Sequence, residues 1–386
     1  MDLELSEAES ELRDNVRAVL ADVCPPAVVR AVYEGKGDVP SIWAKMVELY
    51  WPALAIAEEH GGLGQTFVEV ALVAEELGRV VAPGPFLATV TQFAPALREL
   101  GGDQPLATGL LSQVAAGELT GTVALAERGT WEPAEVQATA EEHPEGWALH
   151  GTKNAVLDIG EADEVLVVAR RPATTGTHGL GAFLVAGSTL TATSRTVIDP
   201  TLPLADVVLD GVVVPTDRVL AAPGSPGIAA ALDRAGQEAT VALAATTAGA
   251  CRVIFEQTLE YAKVREQYGR PIGSFQALKH RLADMYLAVE RATSLCYFAA
   301  LTIAEDDPRR GQAAAMAKAA AGECQALLVQ DGLQLHGGIG LTWENDLHFL
   351  LKRALSGNAL YGNAVHHRSR LAQMLGLISE STEEDA

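Results

Sequence analysis

Arg265, Gln276, Gln334 and the pair Gly337-Gly338 are the residue types that a diphosphate requires. A guanidinium presents a rigid fork of donors, carboxamides add further donors, and glycine lets a backbone come close to phosphate oxygens. Each has a plainer reading when taken alone: Gly337-Gly338-Ile339-Gly340 as a helix-ending turn, Arg265 and Gln276 as solvated side chains. Among the acids, Glu238 lies on a helical stretch, where a water-poor pocket would make it a base and solvent would leave it a surface carboxylate. His348, His366 and His367 have no carboxylate or cysteine beside them at ligand spacing, so they read as surface or interface histidines and no metal site is expected. Cys24, Cys251, Cys296 and Cys324 lack CxxC spacing and read as buried thiols.

The elements that must position these groups fall into three stretches, an α+β architecture. Residues 1–119 read as an all-α domain: Ser6 with Glu9 makes a capping box, and Leu12, Val16, Val19 and Leu20 share one helix face. Residues 120–220 change to short β-type runs, among them Val123 to Leu125, Trp147 to His150, Val165 to Ala169, Phe183 to Val185 and Val207 to Val214, which predict a separate β lobe. Pro215 and the run Ala221-Ala222-Pro223-Gly224-Ser225-Pro226-Gly227 mark a boundary. Residues 221–386 recover the helical period, as in Leu278, Leu282, Met285 and Val289, and predict long antiparallel helices in a bundle. The acidic tail Glu380 to Ala386 reads as frayed.

Composition removes several functions. Fifty acidic against 28 basic residues give a formal charge of -22, which repels nucleic acid and anionic lipid. The start Met1-Asp2-Leu3-Glu4 lacks a basic leader, and no apolar run approaches the 18 or so residues of a membrane span, so a cytoplasmic protein is expected.

Three segments, in order and spacing, resemble the acyl-CoA dehydrogenase family along nearly the whole chain. They are Ala57-Glu58-Glu59-His60-Gly61-Gly62-Leu63-Gly64 with Val73-Ala74-Glu75-Glu76-Leu77-Gly78-Arg79, the stretch from Tyr261 to Gln276, and Gln334-Leu335-His336-Gly337-Gly338-Ile339-Gly340. The resemblance implies an N-terminal helical lobe, a middle β-barrel or sandwich lobe and a C-terminal four-helix bundle, with FAD as cofactor. It implies that Arg265, Tyr268, Phe275, Gln276, Gln334, Gly337 and Gly338 reach the ADP half of an FAD held mainly by the neighbouring subunit, so the protein is at least a dimer. The reaction it implies takes an α-proton from an acyl-CoA onto a carboxylate while the β-hydrogen leaves as hydride to the flavin, with an electron-transfer acceptor downstream.

The family's base has no counterpart in the expected places. In Asn358-Ala359-Leu360-Tyr361-Gly362-Asn363 its commonest position holds Tyr361, a phenol whose ordinary pKa is about 10. The alternative position on the first bundle helix is Ala239, and the adjacent Glu238 is turned by about 100° of helix rotation. The flavin-contacting loop reads Ala126-Glu127-Arg128-Gly129-Thr130-Trp131 without the family's serine, and Ala155 and Leu157 stand where the family has an aromatic and a threonine beside the flavin. Arg128 is either solvated or fills space that a flavin would take. ADP-side groups therefore persist while ring-side groups are missing. That pattern resembles the base-lacking subunit of actinobacterial α2β2 acyl-CoA dehydrogenases of the steroid side-chain type, whose related partner carries the catalytic Glu. The alternatives are a self-sufficient homotetramer using Glu238, a non-enzymatic relative with a vestigial site, and a flavin monooxygenase or oxidase.

Overall fold

The computed structural model describes residues 4–37 and 39–378; the tail expected to fray, Glu380 to Ala386, lies outside them. Helices come first: α1 (Glu7–Val23), α2 (Pro26–Tyr33), α3 (Val39–Glu48), α4 (Phe67–Val80), α5 (Phe86–Ala88), α6 (Ala94–Gly101) and α7 (Pro105–Ala115). The Ser6/Glu9 capping box opens α1, which buries Val16 and Leu20. A second capping box, Thr66 with Glu69, opens α4. A π turn, Thr89–Phe93, joins α5 to α6.

The β lobe is one mixed sheet of eight strands: β1 (Gly121–Ala124), β2 (Thr139–His143), β3 (Gly146–Leu157), β4 (Glu164–Arg170), β5 (Leu180–Ala186), β6 (Thr191–Ser194), β7 (Leu204–Pro215) and β8 (Val219–Ala221). Their order is β6-β7-β3-β2-β4-β5-β8, with β1 running parallel along β4. Val165, Val167 and Ala169 pack among the strands, while Leu166 and Val168 pack against α6, α7 and the residues after the sheet. Burial on both faces is why β4 reads as an unbroken apolar run rather than an alternation. By contrast β2 and β6 are polar and escaped the sequence reading, because their stability comes from pairing with longer neighbours.

After the Pro/Gly segment come α8 (Ile228–Val264), a two-strand hairpin β9 (Glu266–Gln267) and β10 (Arg270–Pro271), then α9 (Gln276–Ala304), α10 (Arg310–His336), α11 (Leu347–Ala359) and α12 (Ala364–Met374). The first of these, α8, is the axis of the molecule, packing against α4, α9, α10 and α11. Its contact with α4 is backbone on backbone: a Cβ at Gly78 would run into the carbonyl of Thr246, and one at Gly249 into that of Glu75. These two glycines explain why a small residue is needed in the Glu75-Glu76-Leu77-Gly78 motif.

Two expectations change. By length and composition α8 and α9 are apolar enough to cross a membrane, and 83% of the most apolar window of α8 is buried inside the protein, as for the central helix of a packed core; for α9 that share is 39%. The four cysteines are free and buried, as expected, but His348 and His367 are also buried rather than superficial. His367 donates from Nε2 to the carbonyl of Tyr361 at 2.7 Å, and no cluster of three metal-ligating side chains occurs among the described residues.

Candidate cofactor and active site

Three helix ends converge at one pole of the bundle. Arg265 caps the C-terminus of α8, its N–H donating to Tyr261 O at 2.8 Å. One turn earlier the Tyr261 ring stacks on His336, the last residue of α10, at 4.7 Å between centroids, which holds Arg265 and Gly337 at the same end. Arg281 Nη1 reaches Asp331 at 3.3 Å and ties the first turns of α9 to α10. Between α8 and α9 the β9–β10 hairpin turns through Tyr268 and Gly269, both at positive φ, the backbone that right-twisted strands favour in a two-residue turn.

The predicted cofactor residues lie at this pole. Gln276 is the first residue of the 29-residue α9, where free N–H groups and the helix dipole favour an anion. Gly337 ends α10 at φ 63°, and a Cβ on Gly337 or Gly338 would meet open space. Gln334 faces solvent in the last turn of α10. Among the described residues the Arg265 guanidinium and the Gln276 and Gln334 amides have no side-chain hydrogen bond or ion pair. Phe275 lies under the Arg270 guanidinium at 4.1 Å and takes the edge of Tyr268 at 6.1 Å. Tyr268 is 92% exposed. A free guanidinium, free amides, an exposed glycine turn and a helix N-terminus, all open to solvent, fit a diphosphate brought by another polypeptide.

The second region is the crevice holding Tyr361, lined also by Leu125, Gly129, Thr130, Trp131, Gly236 and Thr240, with a volume of about 200 Å³. Here the family's ring-side groups do not fit. Trp131 stacks on Tyr361 at 5.6 Å with planes 24° apart, and Tyr361 donates its hydroxyl to Gln92 Oε1 at 3.2 Å. Burial pushes the Tyr361 phenol above its ordinary value, away from a neutral-pH base. Leu157 is buried in the apolar core, and Ala155 adopts positive φ. Arg128 is exposed and does not line the crevice, whereas Trp131 does.

Two carboxylates border the crevice, and both are engaged. Glu132 contacts His366 Nε2 at 3.2 Å and Arg370 Nη1 at 3.7 Å, and Arg370 also pairs with Asp233. The His366 hydrogen bond, with Arg370, holds the Glu132 carboxyl below the usual carboxylate range, which weakens it as a base. Sequence reading missed Trp131, Glu132 and Arg370, because only folding brings their loop onto α12. Behind the loop Glu127 is buried with Lys153, whose Nζ lies 2.5 Å from Oε1, and accepts from the N–H groups of Gln137 and Ala138. Burial pushes Lys153 down to about 8 against the opposing pull of Glu127.

Glu238 is not where a base for this crevice would be. Gly236 and Thr240 face Tyr361, and Glu238, between them on α8, lines a different cavity of about 180 Å³ with Ile56, Val70, Val90 and Arg98. Nor is it a surface carboxylate: it is 3% exposed, pairs with Arg98 and lies 3.8 Å from Arg310. Burial raises its pKa despite the two arginines.

A helical lobe, a mixed sheet and a helical bundle, with exposed donor side chains and glycines at one pole, make up the fold of the flavoprotein acyl-CoA dehydrogenases. The chain belongs to the acyl-CoA dehydrogenase family, whose characteristic cofactor is FAD. The family's N-terminal domain matches residues 6–118 and its C-terminal domain residues 226–376. Acyl-CoA dehydrogenase IpdE2 of Mycolicibacterium smegmatis is 31% identical over 93% of this chain and 96% of its own length. IpdE2 of Mycobacterium tuberculosis is 33% identical over 90% and 91%. Among solved structures, the ChsE4-ChsE5 complex from Mycobacterium tuberculosis superposes with a TM-score of 0.86 at 28% identity, covering 98% of this chain and 100% of the other. A variant of the Tcur3481-Tcur3483 steroid ACAD gives 0.84 at 31%, covering 96% and 98%.

Proposed function

We propose that this chain is the FAD-completing subunit of a hetero-oligomeric acyl-CoA dehydrogenase, paired with a related subunit that carries the catalytic carboxylate, as an α2β2 assembly in the cytoplasm. The observation that carries the reading is the contrast between its two regions. Among the described residues Arg265, Gln276 and Gln334 have no side-chain hydrogen bond or ion pair and face outward with Gly337 and Gly338, while Tyr361 stands where the base belongs, half-buried and stacked by Trp131. Two of the similar structures are described as a two-component complex and as a steroid ACAD of two named chains, which supports pairing with a second chain and a steroid-type thioester.

When bound, FAD would supply the hydride acceptor for the β-carbon of the acyl-CoA, with an electron-transfer acceptor downstream. This chain's part is to bind. The Arg265 fork and the N-terminus of α9 offset diphosphate charge, and the Gly337-Gly338 turn lets backbone approach. Tyr268 and Phe275 give the hairpin an apolar face against the cofactor. No proton moves through Tyr361 or Glu238.

The test is purification from the native source with native mass spectrometry and a visible spectrum. A complex of two chain types with bound flavin is expected, and this chain expressed alone should retain little FAD. A preparation of this chain only, with full flavin occupancy and turnover, overturns the reading. In that event Glu238→Gln asks whether the homotetramer uses Glu238.

A further inference from the structure

The cofactor that the family implies and the crevice of this chain disagree, and the disagreement has a local cause. Loop residues Gly129 to Pro133 fold over the crevice, and Trp131 at their centre lies flat on Tyr361. Both partners of the stack are fixed from behind. Tyr361 is held at positive φ by the His367 hydrogen bond to its carbonyl and by its hydroxyl bond to Gln92 on the π turn. The loop is fastened next to Trp131, where Glu132 meets His366 and Arg370 on α12, and Arg370 in turn holds Asp233 on α8. What remains is about 200 Å³, below the roughly 300–1,000 Å³ typical of sites for drug-sized ligands.

We infer that Trp131 and Tyr361 form an aromatic lock, clasped by Glu132 to α12, that excludes a flavin ring and an acyl group from this chain's own crevice. The inference rests on the proposed division of labour and gives it a physical means. Replacing Tyr361 by a carboxylate would restore the chemistry of a base but not the room. The indole and its clasp would still cover the site.

Lumiflavin, the flavin ring without its ADP half, tests the lock without calling on any diphosphate grip. It is added to the purified native assembly, whose partner sites already hold FAD, and binding is followed by quenching of its fluorescence. Wild type and Tyr361→Glu should show no saturable binding by this chain. Trp131→Gly combined with Tyr361→Glu should bind one lumiflavin per copy of this chain, at least tenfold more tightly than wild type. Trp131→Ala alone, a milder change, should shift binding in the same direction if the double variant does not fold. Stoichiometric binding by wild type, or no binding by an opened variant whose circular dichroism is native, overturns the lock. Mass analysis of the same assembly reports separately on the division of labour: one chain type alone refutes that reading, while the lumiflavin result still decides the lock.

Discussion

Arg353 Nε donates to Asp199 Oδ2 at 2.8 Å with both side chains fully buried, joining α11 to the loop between β6 and β7. The same guanidinium donates to Ala82 O at 2.9 Å and Thr201 Oγ1 at 2.6 Å, so helical lobe, sheet and bundle meet on one side chain. Removing one partner of a buried pair strands the other charge, at a cost of about 3–5 kcal/mol. Arg353→Met should therefore lower the denaturant midpoint sharply, and Arg353→Met with Asp199→Leu should recover part of the loss. Equal stability of the single variant and wild type in urea titration would show that the pair is dispensable.

The contact between α4 and α8 depends on Gly78 and Gly249, where a side chain would meet backbone carbonyls that cannot move aside. Gly249→Val should destabilise by about 1–3 kcal/mol through overpacking and backbone shifts. Differential scanning calorimetry reads this directly. Gly338→Ala, at a glycine with open space and no positive φ, should leave the melting temperature near wild type.

Among the described residues the Arg265 guanidinium has no hydrogen bond or ion pair, so Arg265→Ala should not alter folding. In the assembled protein it should weaken FAD retention by roughly ten- to a hundredfold, the loss of a charged hydrogen bond worth about 1.5–3 kcal/mol. Flavin absorbance after gel filtration measures it, and Arg265→Lys should recover only part, since an ammonium cannot replace a fork. Undiminished flavin in Arg265→Ala would remove Arg265 from the cofactor site.

Glu238 faces the Arg98 cavity and not Tyr361. Glu238→Gln in the assembly should keep turnover within about twofold of wild type, because a residue that moves no proton affects chemistry only through structure. A fall in kcat by orders of magnitude with native circular dichroism would restore Glu238 as the base.

Burial pushes His367 from 6.5 down to about 3, and its neutral ring donates from Nε2 to Tyr361 O while Nδ1 finds no partner among the described residues. The unfolded chain takes up this proton below 6.5 and the folded chain only near 3. Stability from this group is therefore complete above 6.5 and falls as pH drops through that window, by up to about 1.4 kcal/mol per pH unit. His367→Gln should flatten this part of the pH–stability curve in urea titrations between pH 6.5 and 4. An unchanged slope would show that His367 titrates normally.

The chain itself determined much of this. Capping boxes, the helical period and the Pro/Gly run before α8 are local effects of backbone and side chain, and they are legible in order along the sequence. So was the residue set at Arg265, Gln276, Gln334 and Gly337-Gly338, because its spacing follows the ends of long helices. That Tyr361 and Ala239 are not carboxylates was equally legible, since it is a matter of residue type.

Folding alone decided which way the remaining groups face. Whether Glu238 meets solvent, the crevice or Arg98 depends on the rotation of α8 against α6, set by packing among helices far apart in sequence. Trp131 and Tyr361 are 230 positions apart, and nothing local to either predicts that an indole will close over a phenol. Burial of His348, His367 and Lys153 likewise comes from neighbours supplied by other elements. Sequence fixes the chemistry each side chain carries; tertiary packing fixes its surroundings, and through them its charge state and what it can reach.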